Sequence, residues 1–352
     1  MERIVMEQLT ETVLDFVDCF EVCARGIATV ETLAGGPPSA DITYVLPDAK
    51  SAICFAVPLD QRLIPPFLAK ENRRDQERDT IHANTMATGI AQRLADFLNQ
   101  KGYPSIAVSA NDVYRSDTPR PLVDTCPTLS HRYLAVRSGI GHFGLSGNVL
   151  TKKAGAAIVL ASVVTAAELS PTHPLSPDEN YCDNCGMCIA SCISGFVNAK
   201  EKVHVTLGGI EFQYSKRGKY VRCAYVCGGY TGLHPSGKWS TWSPGRFAIP
   251  EDGKELGAVF LKAVRLYNQW PRVGGGTYNV AAGRHRVWLT CGNCQLVCTP
   301  DPDERKRRHR LLINSGVVVQ NPDGSLESVS PDAAKRRLAS VSPELRALYE
   351  EG

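Results

Sequence analysis

The chain has 352 residues, 43% of them hydrophobic and 21% charged, which is enough for two domains or one large elaborated one. Its formal net charge of +3 argues neither for nor against a nucleic-acid partner. No apolar run approaches the roughly 18 residues of a membrane span, and the N-terminal stretch MERIVMEQLTETVLDFVDCF reads as neither a secretory nor a twin-arginine leader; a cytoplasmic protein without a membrane partner is expected.

Residues 7–25 alternate apolar and polar positions at helical spacing. Ser51–Val57 is a short apolar run ended by Pro58 and predicts a buried strand. Leu59–Asn72 contains prolines and reads as irregular. From Thr80 to Gln100 the residues Met86, Ile90, Leu94, Phe97 and Leu98 recur at helical period, and Gly102 closes the helix. Pro104–Ser109 predicts another strand, Asn111–Thr125 a polar, turn-rich stretch, and a helix is expected from about Thr128 to Gly139. The glycine-rich loop SGIGHFGLSGN follows, then the strand Ala156–Thr165. This alternation predicts an α+β (α/β layered) fold. The Pro/Ser-rich connector Glu168–Asn180 sets a domain boundary, giving units at 1–170 and 171–310 and a tail at 311–352.

The second unit opens with YCDNCGMCIASCISGF, which places Cys182, Cys185, Cys188 and Cys192 at C-x2-C-x2-C-x3-C spacing, the ferredoxin run for a 4Fe-4S cluster. In the two-cluster arrangement the fourth Cys ligates the other cluster, so a second group is required. CGNCQLVC supplies Cys291, Cys294 and Cys298, and RCAYVC offers Cys223 or Cys227 as the eighth thiolate. Zinc prefers four ligands from two paired knuckles, and disulfides need an oxidising compartment. Two 4Fe-4S clusters and electron transfer are therefore expected. The leftover Cys19, Cys23, Cys54 and Cys126 read as inert thiols. The Gly/Trp-rich insert at 228–290 carries Trp239, Trp242, Trp270 and Trp288, with an amphipathic helix near Glu255–Tyr267, and long loops of this kind either cover a site or pack on the surface. In the tail, RKRRHR reads as a solvated helix face, Val317–Gln320 as a strand and Ser330–Glu350 as one or two surface helices.

The Cys pattern, the Arg222–Cys223 pair, LPDAKSAICFAVP and VDTCPTLSHRYLAVRSGIGHFGLSGNVLT together resemble the epoxyqueuosine reductase and reductive dehalogenase family over roughly residues 40–300. The resemblance implies a nitroreductase-like core binding cobalamin beside a ferredoxin-like double-cluster domain. It implies Cys182, Cys185, Cys188 and Cys298 on one cluster and Cys192, Cys223, Cys291 and Cys294 on the other, with Cys227 the rival of Cys223. It also implies Asp124 as proton donor, with Tyr114 and Tyr133 as alternatives. The glycine loop is expected to let the backbone approach a large flat ring, with Gly139, Gly141, Gly144, Gly147, Ser146, Asn148 and Thr151 in contact with it. His142 reads as a packed loop histidine, an axial ligand or a proton donor. The chain departs from the pattern at Ile193 and Thr299, where a proline usually follows each Cys run. It also has no counterpart of the helical-repeat tail of tRNA-acting members, so tRNA is expected to be an unlikely partner. The expected function is a cobalamin-dependent oxidoreductase acting on a small-molecule substrate and fed by a donor such as ferredoxin or flavodoxin. The alternatives are an electron-transfer or corrinoid-activating protein without substrate chemistry, and a cluster-bearing reductase with flavin or no further cofactor.

Overall fold

The computed structural model of the chain describes residues 2–109, 114–118, 126–249, 256–267, 269–271 and 289–350. Helix α1 (Glu2–Asp18) stops short of the expected 25 because Ala24–Thr29 leaves it as strand β1. Strand β2 (Ser51–Pro58) follows. The proline-containing stretch expected to be irregular holds the short helix α2 (Ile64–Leu68), with Pro65 and Pro66 in its first turn, where a missing N–H costs nothing. Helix α3 (Arg74–Gln100) is longer than its apolar periodicity, and Gly102 at φ +88° ends it. Strand β3 (Ser105–Val108), helix α4 (His131–Arg137), the two-residue strands β4 (His142–Phe143) and β5 (Val149–Leu150) and strand β6 (Ile158–Thr165) complete the first half.

The four long strands pair antiparallel in the order β1-β2-β6-β3, with Ile27 opposite Ile53, Phe55 opposite Ala161 and Ile106 opposite Val164. The period of two divides the sheet into two apolar faces. Ile53, Phe55, Val57, Ala161 and Val163 face a core shared with Val13 and Val17 of α1 and Ile90, Leu94 and Leu98 of α3. Ala52, Cys54, Ala56 and Val164 face a second core with Leu134, Ala135 and Val136 of α4. Both faces are thus covered, which explains why β2 is buried from Ser51 to Val57 and reads as a continuous apolar run. The mixed helix-and-sheet class expected from the sequence holds.

After α5 (Met187–Ala190), an unanticipated hairpin pairs β7 (Val197–Leu207) with β8 (Ile210–Arg217). Its turn is Gly208-Gly209, at φ +56° and +80°, a pair of left-handed residues that matches the twist of a two-residue hairpin. Then come α6 (Tyr220–Cys227), α7 (Leu256–Tyr267), α8 (Asn293–Leu296) and α9 (Pro302–Ile313). The tail holds strands β9 (Val317–Gln320) and β10 (Leu326–Val329) and helices α10 (Pro331–Ser340) and α11 (Pro343–Arg346).

The insert packs inward. Trp239 and Trp242 join the core of the sheet, and Trp242 Nε1 donates to the Phe67 carbonyl at 3.0 Å. Trp270 packs with Tyr225, Tyr230 and Phe247 and donates to the Leu348 carbonyl at 2.7 Å. Trp288 lies outside the described residues. The basic run on α9 is only in part the solvated face expected: Lys306, Arg307 and Arg310 are exposed. Arg305 and Arg308 are buried, and Arg308 donates to the Leu296 carbonyl and to Gln61, both at 3.1 Å.

Two glycines make opposite predictions. A Cβ on Gly26 in β1 would sit 2.2 Å from the Ser138 carbonyl oxygen, whereas one on Gly89 in α3 would meet nothing within 4 Å. Gly26→Ala is expected to destabilise the fold by about 1–3 kcal/mol through overpacking. Gly89→Ala is expected to stabilise it by ~0.4–1 kcal/mol, because it restricts the unfolded chain at a helical position. Urea denaturation of the two variants checks both signs.

Candidate functional site

The sheet half and the Cys-rich half meet along the start of β6. The Ala156 amide donates to the Cys298 carbonyl at 3.1 Å, and Gln295 Nε2 donates to the Ile158 carbonyl at 2.7 Å. Around this junction the thiols fall into two groups, each drawing on both Cys runs. Cys182, Cys185, Cys188 and Cys298 line one small cavity together with Gly144, Leu145, Ser146 and Arg305. Cys192, Cys223, Cys291 and Cys294 lie close enough for each charge to act on Cys294. Among the described residues no three Cys, His, Asp or Glu side chains converge tightly enough to hold a single metal ion. Four thiols around a shared space instead suit a multi-iron centre, so the donor set fits a cubane at each group.

Cys227 is a fifth thiol at the second group. It sits one turn after Cys223 on α6, Sγ to Sγ 3.7 Å, and also hydrogen-bonds Cys291. Two thiols that close cannot both sit on separate corners of one cubane. The Cys227 thiol lowers Cys291 to about 7 against the effect of burial. In the first group, burial pushes the free thiols of Cys188 and Cys298 up to about 11 and about 12. Metal coordination would deprotonate them outright. Outside the two groups, Cys54 is fully buried in the sheet and pushed up to about 12, as suits an inert thiol.

The glycine loop lies against both thiol groups. The Leu145 amide donates to Cys182 Sγ at 3.3 Å, and Asn148 Nδ2 donates to Cys294 Sγ at 3.8 Å. Its glycines are small for the sake of protein neighbours. A Cβ on Gly139 would meet the His173 carbonyl, one on Gly141 the Leu150 carbonyl, one on Gly144 the Leu150 side chain, and one on Gly147 the Tyr214 ring.

A cavity of about 860 Å³ opens beside the second group. Leu59, Val108, Leu129, Val149 and Ile158 make its walls apolar, and Cys291 and Gly292 form part of its lining. Its size lies at the upper end for small-molecule and cofactor pockets, which fits a large ligand or a cofactor with its substrate. Of the expected cofactor contacts only Asn148 borders it. Gly139, Gly141, His142, Gly144, Ser146, Gly147 and Thr151 do not line it. The loop is held by packing and by the thiols. His142 is half-buried among Glu179, Lys152 and Asp178, and burial lowers its pKa.

Tyr114 and Tyr133 both line the large cavity; Asp124 lies outside the described residues. Tyr133 Oη and Tyr214 Oη hydrogen-bond at 2.9 Å, and burial pushes the Tyr133 phenol up. Tyr114, 38% exposed, pairs with Tyr220, and partial desolvation of its phenol raises its pKa. Apart from Leu289, no described residue of the insert lines the cavity, so its described part packs rather than covers.

Several residues of the site were missed in the sequence. Arg132, Lys216, Arg217 and Lys219 put a cationic side on the cavity. Arg217 donates to the Ser146 carbonyl at 2.9 Å and to Asn148 Oδ1 at 2.8 Å, which orients the Asn148 amide toward Cys294. Lys70, at φ +63°, is buried beside Cys291, close enough for each charge to act on the other. The basic stretch SKRGKYVRC, which ends at Cys223, was the available signal for Lys216, Arg217 and Lys219. Nothing local marks Lys70.

No family model matches the chain. The chain is similar to epoxyqueuosine reductases. It is 33% identical to that of Cellulophaga algicola over 73 residues (21% of this chain, 22% of the relative). It is 26% identical to that of Atelocyanobacterium thalassa over 164 residues (46% of this chain, 47% of the relative). The matches thus span less than half the length of these curated relatives. Among solved structures, an epoxyqueuosine reductase with an epoxyqueuosine-modified tRNA-Tyr stem loop aligns at 17% identity and TM-score 0.42, covering 96% of this chain and 74% of that one. A reductive dehalogenase aligns at 13% identity and TM-score 0.49, covering 97% of this chain and 43% of that one. The expectation that tRNA is an unlikely partner is corrected by the curated relatives, which are named for epoxyqueuosine, a modification of tRNA.

The Tyr133–Tyr214 pair yields a prediction. Tyr133→Phe leaves the Tyr214 hydroxyl without that buried partner and is expected to cost about 1–3 kcal/mol. Tyr214→Phe should cost a similar amount, and the double variant less than the sum, as a thermal-denaturation mutant cycle would show.

Proposed function

We propose that this relative of the epoxyqueuosine reductases is an iron–sulfur oxidoreductase that passes electrons through two 4Fe-4S clusters to a corrinoid in the large cavity, where a substrate is reduced. The observation that carries the reading is that Cys291 belongs to the second thiol group and also lines the 860 Å³ cavity. An electron held at that group is therefore next to whatever occupies the cavity. The antiparallel sheet with helices on both faces supports a nitroreductase-like core, and the interleaved thiols support a ferredoxin-like module docked on it.

Cys182, Cys185, Cys188 and Cys298 would hold one cluster, and Cys192, Cys223, Cys291 and Cys294 the other. Cys223 is preferred over Cys227 because Cys227 crowds both Cys223 and Cys291. When bound, the clusters supply one-electron transfer and the corrinoid supplies the reactive metal centre. The chain itself supplies orientation, an apolar wall and protons. Val108, Leu129, Val149 and Ile158 form that wall of the cavity. Tyr114 keeps its proton at Oη near neutral pH and can deliver it into the cavity, with Tyr220 as its hydrogen-bond partner. Asp124 is the second candidate acid, on the strength of the family resemblance. Lys216 and Lys219, both exposed at the cavity, suit a phosphate-bearing substrate. With the relatives' name, that makes an epoxyqueuosine-modified tRNA stem loop the first substrate to test.

Anaerobic reconstitution with iron, sulfide and cobalamin, followed by metal analysis, tests the reading. About eight irons per chain are expected for two cubanes, and one cobalt for the corrinoid. Iron without cobalt would remove the corrinoid, and about four irons would break the two-group assignment. Cys223→Ser is expected to lose about half the iron while Cys227→Ser keeps it; the reverse would exchange their roles. Turnover of the stem loop by Asp124→Asn and Tyr114→Phe then identifies the acid, whose loss is expected to cost about 10²–10⁴-fold in rate.

A further inference from the structure

The two thiol groups differ in the charges around them. At the first, Arg305 Nη1 lies 3.5 Å from Cys185 Sγ, but the same nitrogen is paired with Asp183 at 2.8 Å. Its charge is already offset. At the second, Lys70 is buried and Arg217 half-buried, and neither meets a carboxylate among the described residues. Among those residues Lys70 Nζ reaches the Leu68 carbonyl, at 3.3 Å, and the face of Trp242, 5.7 Å from the ring centre. Arg217 reaches the Ser146 carbonyl, Asn148 and the Phe196 ring.

Lys70 is fixed in place. Trp242, which it covers, donates from its indole to the Phe67 carbonyl at 3.0 Å and from its backbone amide to the Thr290 carbonyl at 2.9 Å, next to Cys291. The Lys70 backbone is left-handed, a conformation glycine or asparagine would adopt at less cost. Burial pulls Lys70 down to about 7, and a negative neighbour such as Cys291 is what would hold a lysine charged at such a position. Four thiolates around an iron–sulfur centre carry that charge.

We propose that Lys70 and Arg217 are the built-in counter-charges of the second cluster, and that they set its reduction potential above that of the first. Lys70 and Arg217 would then hold the negative charge that a reduced second centre, beside the cavity, would carry. The inference rests on the two-cluster reading given above.

The test uses the full chain, reconstituted anaerobically, with redox titrations followed by electron paramagnetic resonance. Lys70→Met and Arg217→Met remove the charges; Lys70→Arg and Arg217→Lys keep them. Cys298→Ser, which removes a first-group thiol, assigns the signals. Each neutral variant is expected to lower the second cluster's potential by at least a tenfold change in the one-electron equilibrium, about 59 mV. The first cluster should stay in place, and the charge-keeping variants should restore the second. A second cluster that does not move, or two that move together, overturns the inference while the iron content keeps the two-cluster reading intact. If Lys70→Met loses half its iron, retention in Lys70→Arg supports the counter-charge role and loss in both overturns it. A wild-type chain that binds no second cluster sinks the reading and this inference with it.

Discussion

The molecule is organised by the need to bring thiols from distant stretches of chain to one junction. The run that begins at Cys182 gives three thiols to one group and Cys192 to the other; the run that begins at Cys291 gives two to the second group and Cys298 back to the first. Neither run can shift without disturbing both groups. The sheet supplies the fixed reference, because the Cys298 carbonyl and the Gln295 side chain are bonded to the backbone at the start of β6. A Cβ on Gly155 would come within 2.5 Å of that same carbonyl, so the approach is as close as a backbone without a side chain permits.

This arrangement gives the glycine loop its character. A loop that touches one thiol group through Leu145 and the other through Asn148 must run close to several backbones at once. Its small residues meet those constraints, while its one polar cavity contact, Asn148, is aimed at a sulfur by Arg217. Hydrogen bonds to cluster sulfurs are among the groups through which a protein tunes an iron–sulfur centre. The position of the loop therefore ties it to both thiol groups at once.

Much of the framework was legible in the sequence. Strands β2 and β6 are long apolar runs because both faces of the sheet are covered, and α3 shows its apolar face at Ile90, Leu94 and Leu98. The Cys runs were legible because their ligand spacing is local. Strand β1 was missed: ARGIAT carries a charge and a glycine, and the glycine is there to admit the Ser138 carbonyl. The β7–β8 hairpin was missed although Gly208-Gly209 between alternating residues marks it. The site beyond the thiols was the least legible part. Burial of Lys70 and Arg305, and the partial burial of Arg217, depend on tertiary packing, and a basic run looks the same in sequence whether it faces water or a sulfur.

The interleaving also orders how the molecule can be built. All four strands of the main sheet precede residue 166, so the sheet can form while the rest of the chain is still being synthesised. The second thiol group is complete only once Cys294 has emerged, and the first only once Cys298 has. Any metal centre here would thus be a late addition to a pre-folded platform, and the two would become possible almost together in biogenesis.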